Sequence, residues 1–182
     1  MVKTLADYIM VFNNVLPWDM RDGMMNTFDE TSERLKRDND VMNFEEINIL
    51  SSPSFEVYRQ PMTQAMLAIS KAYKKRTNAF WPDKLAFEAP RIKRYEPVVG
   101  KFDWHIDADT AEKGKRLLVM FWYLNDVMEG GETEFDLNGV EIKVPAKGGD
   151  VVCFPPNFMY PHRGVTPISE AKYVVSSYIQ LP

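Results

Sequence analysis

From residue 85 onward the chain falls into short runs of apolar and polar positions broken at regular intervals by turn formers. LAFEAPRIKRYE, KFDWHID, RLLVMFWYLN, TEFDL, VEIKVP, DVVCFPP and KYVVSSYIQ follow one another, parted by residues such as Gly130-Gly131, Asn138-Gly139 and Gly148-Gly149. Runs of this length, rich in β-branched and aromatic residues, predict strands. Asn138-Gly139, between TEFDL and VEIKVP, predicts a tight hairpin because both residue types accept positive φ. Many short strands with evenly spaced turns predict a β-sandwich or barrel of jelly-roll type.

The first half reads differently. DYIMVF (7–12) predicts a strand, and PWDMRDGMMNTFDETSERLKR a helix whose Pro17 sits early, where a helix tolerates proline. FEEINIL and SFEVYR predict two short strands parted by Ser51, Ser52 and Pro53. Residues 61–76 carry Met62, Met66, Leu67, Ile69 and Ala72 at helical spacing. Lys71, Lys74, Lys75 and Arg76 cluster near the end of that helix, which suits its dipole and reads as a solvated terminus. The predicted class is α+β: a jelly-roll core over residues 85–182, with a helix-rich part over 1–84 packed on one sheet, together a single domain.

Composition narrows the function classes. Of 182 residues 45% are hydrophobic and 26% charged, the profile of a globular domain with a sizeable core. A formal net charge of −4 argues against a phosphate-backbone partner, so no nucleic acid is expected. Cys153 is the only cysteine and has no internal disulfide partner. Asp7, Asn13 and Asn14 interrupt the apolar N-terminus, and no run approaches the roughly 18 apolar residues of a membrane span. The expectation is a cytoplasmic protein without a membrane partner; oligomeric state is not legible.

Only two histidines occur in the chain, and one lies among carboxylates in FDWHIDAD. On a strand, His105 and Asp107 project to the same face and converge on one point. An imidazole and a carboxylate there suit a divalent transition metal such as Fe(II), with His162 as third ligand from the same β core. Asp109 is the rival carboxylate, but the chain turns polar beyond Asp107 and leaves the sheet. Lys172, the tenth position after His162, sits in an otherwise apolar strand. Lysine is seldom buried without an anion, so it either meets one in the cavity or lies at a solvent edge.

His105-x-Asp107, His162 and Lys172 in this order resemble the 2-oxoglutarate/Fe(II)-dependent dioxygenases, specifically the prolyl 4-hydroxylase-like branch. RYEPVVGKFDWHID, with Tyr95 ten residues before His105, is similar to the branch's tyrosine strand and metal motif. FWYLND followed by EGGETEF resembles its tyrosine-leucine-asparagine strand and glycine-glycine-glutamate-threonine turn. The resemblance runs over roughly residues 91–180 and implies a double-stranded β-helix core.

It further implies that His105, Asp107 and His162 are the catalytic iron ligands. Lys172 would pair with the distal carboxylate of 2-oxoglutarate, and Tyr95 and Tyr123 would donate hydrogen bonds to that co-substrate. For Tyr123 a core aromatic is the alternative, and Thr133 either lines the pocket or begins a strand. Trp104 and Trp122 read as core or cavity-wall packing, Cys153 as a buried filler, and Arg163 equally as surface charge or substrate contact.

The implied reaction consumes 2-oxoglutarate and O2, hydroxylates a substrate carbon, and yields succinate and carbon dioxide. Ascorbate is a candidate reductant. Peptidyl proline, and so a peptide or protein partner, is the substrate implied by analogy. A free amino acid or other small molecule is the alternative, since no substrate-binding arginine motif stands out in residues 1–90. A non-catalytic, cupin-like binding barrel is the alternative outside the enzyme class, although its His-x-His pattern is absent here.

Overall fold

The computed structural model describes residues 3–182. Among these described residues are twelve strands: β1 (Met10–Phe12), β2 (Leu35–Asp38), β3 (Met42–Asn48), β4 (Ala86–Phe87), β5 (Arg91–Tyr95), β6 (Lys101–His105), β7 (Arg116–Tyr123), β8 (Thr133–Asp136), β9 (Glu141–Val144), β10 (Val151–Phe154), β11 (His162–Gly164) and β12 (Lys172–Gln180). They join in the order β1-β10-β7-β12-β5-β3-β6-β11-β8-β9, with β2 beside β3 and β4 beside β12. Neighbours pair antiparallel, and the sheet curls on itself into the predicted jelly-roll core. Two helices, α1 (Trp18–Glu30) and α2 (Glu56–Thr77), complete the α+β architecture. Among the described residues no helix is long and apolar enough to cross a membrane.

The long central strands bury both faces, and alternation sorts their side chains. Along β12, Tyr173, Val175 and Ile179 join an outer cluster with Leu118, Met120 and Trp122 of β7, and with Met24, Phe28, Met62 and Met66 of the helices. Val174 and Tyr178 point the opposite way, into an inner cluster with Val119 and Tyr123. The helices therefore cover the convex face, and the concave face is left for the cavity. The Asn138-Gly139 hairpin forms as predicted, with φ of 57° and 89°.

Three local expectations are corrected. The first helix ends at Glu30, and the segment predicted to extend it instead forms β2 on the exposed edge beside β3. Arg34 Nη1 donates to the carbonyls of Phe28 (3.0 Å) and Asp29 (2.9 Å), satisfying orphan acceptors at the helix end. SFEVYR is no strand: a 3₁₀ turn at Pro53–Phe55 runs directly into α2. The apolar face of α2 starts at Phe55 and continues through Met62, Met66, Ile69 and Tyr73, all buried. Burying these side chains, each worth roughly 1.5–3 kcal/mol, outweighs the lost bond at Pro61, which costs about 3 kcal/mol. Finally, the strand foreseen at 7–12 begins only at Met10, after a 3₁₀ turn over Leu5–Tyr8.

Candidate active site

Strand β6 ends at His105, and β11 begins at His162. The two strands pair antiparallel with His162 and His105 directly opposite each other. Pairing thus joins residues from distant segments, and their imidazoles lie 4.3 Å apart between centroids. Asp107, two residues past the end of β6, turns its buried carboxylate between them. His162 Nε2 lies 3.4 Å from Asp107 Oδ2, and His105 Nε2 lies 3.8 Å from Asp107 Oδ1. One ligand atom from each residue falls within 4.8 Å of the others. Asp109 is outside this group: it is exposed and paired with Lys113 at 2.8 Å.

Hydrogen bonding fixes what the imidazoles present. His105 Nδ1 lies 2.7 Å from the carbonyl of Asp103, and His162 Nδ1 lies 3.1 Å from that of Tyr160. A carbonyl only accepts, so each Nδ1 carries the hydrogen and each Nε2 offers its lone pair to the centre. Five buried side-chain polar atoms among the described residues lack a hydrogen-bond partner. Three of them are His105 Nε2, Asp107 Oδ2 and His162 Nε2. Buried polar groups are rarely left unpaired, and three orphans facing one point fit a bound cation.

Electrostatics keep the His105 imidazole in ligand form. Burial, with His162 nearby, lowers the His105 pKa to about 4, so its imidazole is neutral at physiological pH. Burial pushes the Asp107 carboxyl up, but the facing imidazoles and Lys93 more than reverse this and hold it below the usual range. Phe102 stacks on His105 at 3.6 Å, and Phe154 packs edge-on to His162 at 4.7 Å. These rings limit both imidazoles to one orientation.

A supporting layer was not anticipated from the sequence. The Tyr178 hydroxyl donates to Asp107 Oδ1 at 3.2 Å. Arg116 Nη1 donates to the Asp107 carbonyl at 2.8 Å, its guanidinium covers the Tyr178 ring at 3.8 Å, and Glu88 holds it at 2.6–2.7 Å. The available signal was register: Tyr178 lies six residues after Lys172, on the same face of β12.

Lys172 is buried and lines the cavity with Tyr95, Thr133, His105 and His162. Burial lowers its pKa to about 8, against the attraction of Glu132. Its ammonium lies 5.6 Å from the Tyr95 ring centre and 5.5 Å from that of Tyr123. Tyr95 is its cross-strand partner. β12 does not neighbour β11: β5, β3 and β6 intervene, and Lys172 reaches the cavity through the curl of the sheet. Tyr123 is fully buried, and its hydroxyl is 2.7 Å from Thr133 Oγ1. Thr133 both begins β8 and lines the pocket.

Trp122 is core, donating from Nε1 to Ser177 Oγ at 3.0 Å. Trp104 is not: it is 44% exposed and carries the Arg163 guanidinium at 5.0 Å. It neighbours His105 on β6 and so projects from the opposite face to the cavity, towards solvent. Arg163 is held by Glu134 at 2.6 Å. Cys153 is fully buried in the outer cluster, as read.

A family profile described as 2OG-Fe(II) oxygenase superfamily matches residues 90–180, half of the 182-residue chain. The chain belongs to that superfamily. It is an oxygenase whose cofactor is Fe(II) and whose co-substrates are 2-oxoglutarate and O2. No curated protein sequence matches it. Among solved structures it is similar to a Pseudomonas putida prolyl-4-hydroxylase, with 19% identity, a TM-score of 0.71, and 96% and 93% of the two chains covered. It is also similar to a Trichoplax adhaerens prolyl hydroxylase in complex with a hypoxia inducible factor peptide fragment, with 12% identity, a TM-score of 0.75, and 96% and 84% covered. The epimerase SnoN of nogalamycin biosynthesis is similar at 14% identity, with a TM-score of 0.72 and 96% and 77% covered. At these identities the likeness is one of fold, and the fold serves more than one reaction.

Proposed function

We propose that this oxygenase hydroxylates an aliphatic carbon of a prolyl residue in a peptide or protein, with His105, Asp107 and His162 as the iron ligands. The observation that carries the ligand assignment is the convergence of three partnerless buried donor atoms on one point. Two imidazoles and one carboxylate would hold a ferrous ion and leave room beside it for the co-substrates. When bound, the iron supplies the oxidative decarboxylation of 2-oxoglutarate to succinate and carbon dioxide that is coupled to substrate hydroxylation.

The residues divide the remaining work. Lys172 receives the distal carboxylate of 2-oxoglutarate, which gives its buried ammonium the anion it lacks. Tyr95 and Tyr123 flank that ammonium and donate to the same carboxylate, Tyr123 exchanging its bond with Thr133 for one to the co-substrate. Tyr178 and Arg116 hold Asp107 in place. The proline reading is supported by the prolyl hydroxylases among the similar folds. A free amino acid or other small molecule is the second reading, favoured by a further unpaired cation in the cavity, Lys93. Residues 1–182 act in this proposal as one domain, in the cytoplasm, where a lone buried cysteine is at home.

Succinate release with and without proline-containing peptides, in wild type and His162→Ala, tests the reading. Peptide-stimulated release that His162→Ala abolishes supports it, whereas stimulation by small molecules alone selects the second reading. Anaerobic Fe(II) with 2-oxoglutarate should give a weak visible charge-transfer band. A well-folded protein without that band would instead be a non-catalytic barrel.

A further inference from the structure

Two lysines line the cavity, and only Lys172 is occupied by the co-substrate in the 2-oxoglutarate reading. Lys93 lies on β5, two residues from Tyr95 and on the same inward face, and is 9% exposed. Among the described residues, no carboxylate comes within 4.0 Å of its Nζ. Glu46 is its cross-strand partner, but Arg37 holds Glu46 Oε1 at 2.8 and 2.9 Å. Asp107 faces the imidazoles and Tyr178, and the other charges felt at Lys93, Arg91 and Arg116, are cations. What its ammonium does meet is aromatic: the ring centres of Phe44 at 4.9 Å and Phe102 at 5.9 Å. Such contacts attract a cation weakly and do not replace an anion.

Charge counting shows what is missing. Under the 2-oxoglutarate reading, the charges within the cavity other than Lys93, a ferrous ion (+2), Asp107 (−1), the co-substrate dianion (−2) and Lys172 (+1), sum to zero; Glu132, which attracts Lys172, lies outside the lining. When protonated, Lys93 adds one positive charge to this aromatic-walled space, where an unpaired charge is costly and burial accordingly lowers its pKa. Position separates it from the co-substrate anchor. Lys172 pairs with Tyr95 and Val174 with Lys93, so Lys93 sits one inward-facing rung, roughly 7 Å, further along the ladder. That rung runs towards Ser176 and Tyr178, the partner of Asp107, and Phe102 beneath the ammonium is the ring stacked on His105. Lys93 therefore stands on the His105 side of the iron ligands, whereas Lys172 stands by Tyr123.

We propose that Lys93 is a substrate-binding residue that receives a carboxylate of the prime substrate, placed next to the carbon that is hydroxylated. One spare positive charge matches a monoanion and would leave a phosphate dianion half unpaired. The carboxylate belongs either to a free amino acid or to the C-terminal residue of a peptide; an internal, uncharged prolyl segment does not supply it. The inference rests on the 2-oxoglutarate reading of the site but not on the peptide reading.

The test uses the full chain loaded anaerobically with Fe(II) and 2-oxoglutarate, monitored by its charge-transfer band. The probes are the twenty free L-amino acids and the dipeptide alanyl-proline, each paired with its carboxamide. Aerobic succinate release is measured in parallel. At least one carboxylate should shift the band and raise succinate release, with its carboxamide at least about tenfold weaker. Response to the free acid alone or to the dipeptide alone identifies the source of the carboxylate. Lys93→Met should abolish the response, keep the Kd for 2-oxoglutarate within about twofold, and melt at a higher temperature than wild type without ligands. Lys93→Gln serves the same comparison if the methionine variant does not fold. The proposal is overturned if no carboxylate acts, if carboxamides act equally, or if Lys93→Met weakens 2-oxoglutarate binding tenfold or more. Absence of the band in wild type would sink the parent reading, a result distinct from all of these.

Discussion

The two faces of the central sheet are made by the same strands and have opposite chemistry. On the outer face, Trp122, Val175, Met120 and Ile179 pack against α1 and α2, and Trp122 finds a partner in Ser177. On the inner face lie Lys172, one residue before Tyr173 on β12, Lys93 on the neighbouring β5, and, further round the curl, the three partnerless atoms of His105, Asp107 and His162. The outer face stabilises the fold by burying apolar area. The inner face withholds partners from buried charges and so stays ready for ligands that supply them. A strand buried on both sides can thus serve stability with odd positions and chemistry with even ones.

If that division holds, substitutions on the two faces should separate stability from activity. Trp122→Ala should give the largest effect, a loss of about 3–5 kcal/mol in urea denaturation, with iron and 2-oxoglutarate still bound by the molecules that remain folded. His162→Ala should reduce succinate release by about 100-fold or more, beyond what loss of a group merely supporting a ligand produces, while its urea midpoint stays close to wild type. An equal fall in stability would erase the contrast.

Lys172→Met should weaken 2-oxoglutarate by roughly 10- to 100-fold, the worth of a charge-assisted bond, measured by titrating the charge-transfer band. The same variant should melt higher than wild type without ligand, because it removes a buried charge.

The smallest effect is in pH. The Lys172 pKa in the free protein is lowered to about 8, so its ammonium is depleted above that pH. Affinity for 2-oxoglutarate should fall by up to about tenfold per pH unit from pH 8 upward, and Lys172→Met should flatten the profile. His105 has the opposite window. Its pKa is lowered from 6.5 to about 4, so between these values the unfolded chain binds a proton that the folded one does not. Stability of the metal-free protein should therefore decline as pH falls from about 6.5 towards 4, readable as a falling melting temperature.

Much of this was legible from local pattern. His105 and Asp107 declare themselves by spacing, Lys172 by an apolar context, and Asn138-Gly139 by turn chemistry. Other residues misled because their surroundings are not local. Trp104 looked like packing, yet it stays half-exposed with the Arg163 guanidinium over its ring. SFEVYR alternates like a strand, but the helical face of α2 reaches back to Phe55. Lys93, in RIKRY, drew no reading at all, and only the sheet's curvature turns its face inward.

The sequence by itself determined the donor types, the hairpin, the strand-rich second half and the family pattern, because each depends on residues close along the chain. Only the tertiary structure decided that His162 faces His105, that Tyr178 and Arg116 hold Asp107, and that two lysines enter one cavity without an anion. Those facts depend on strand order and sheet curl, which bring together positions that no local periodicity relates.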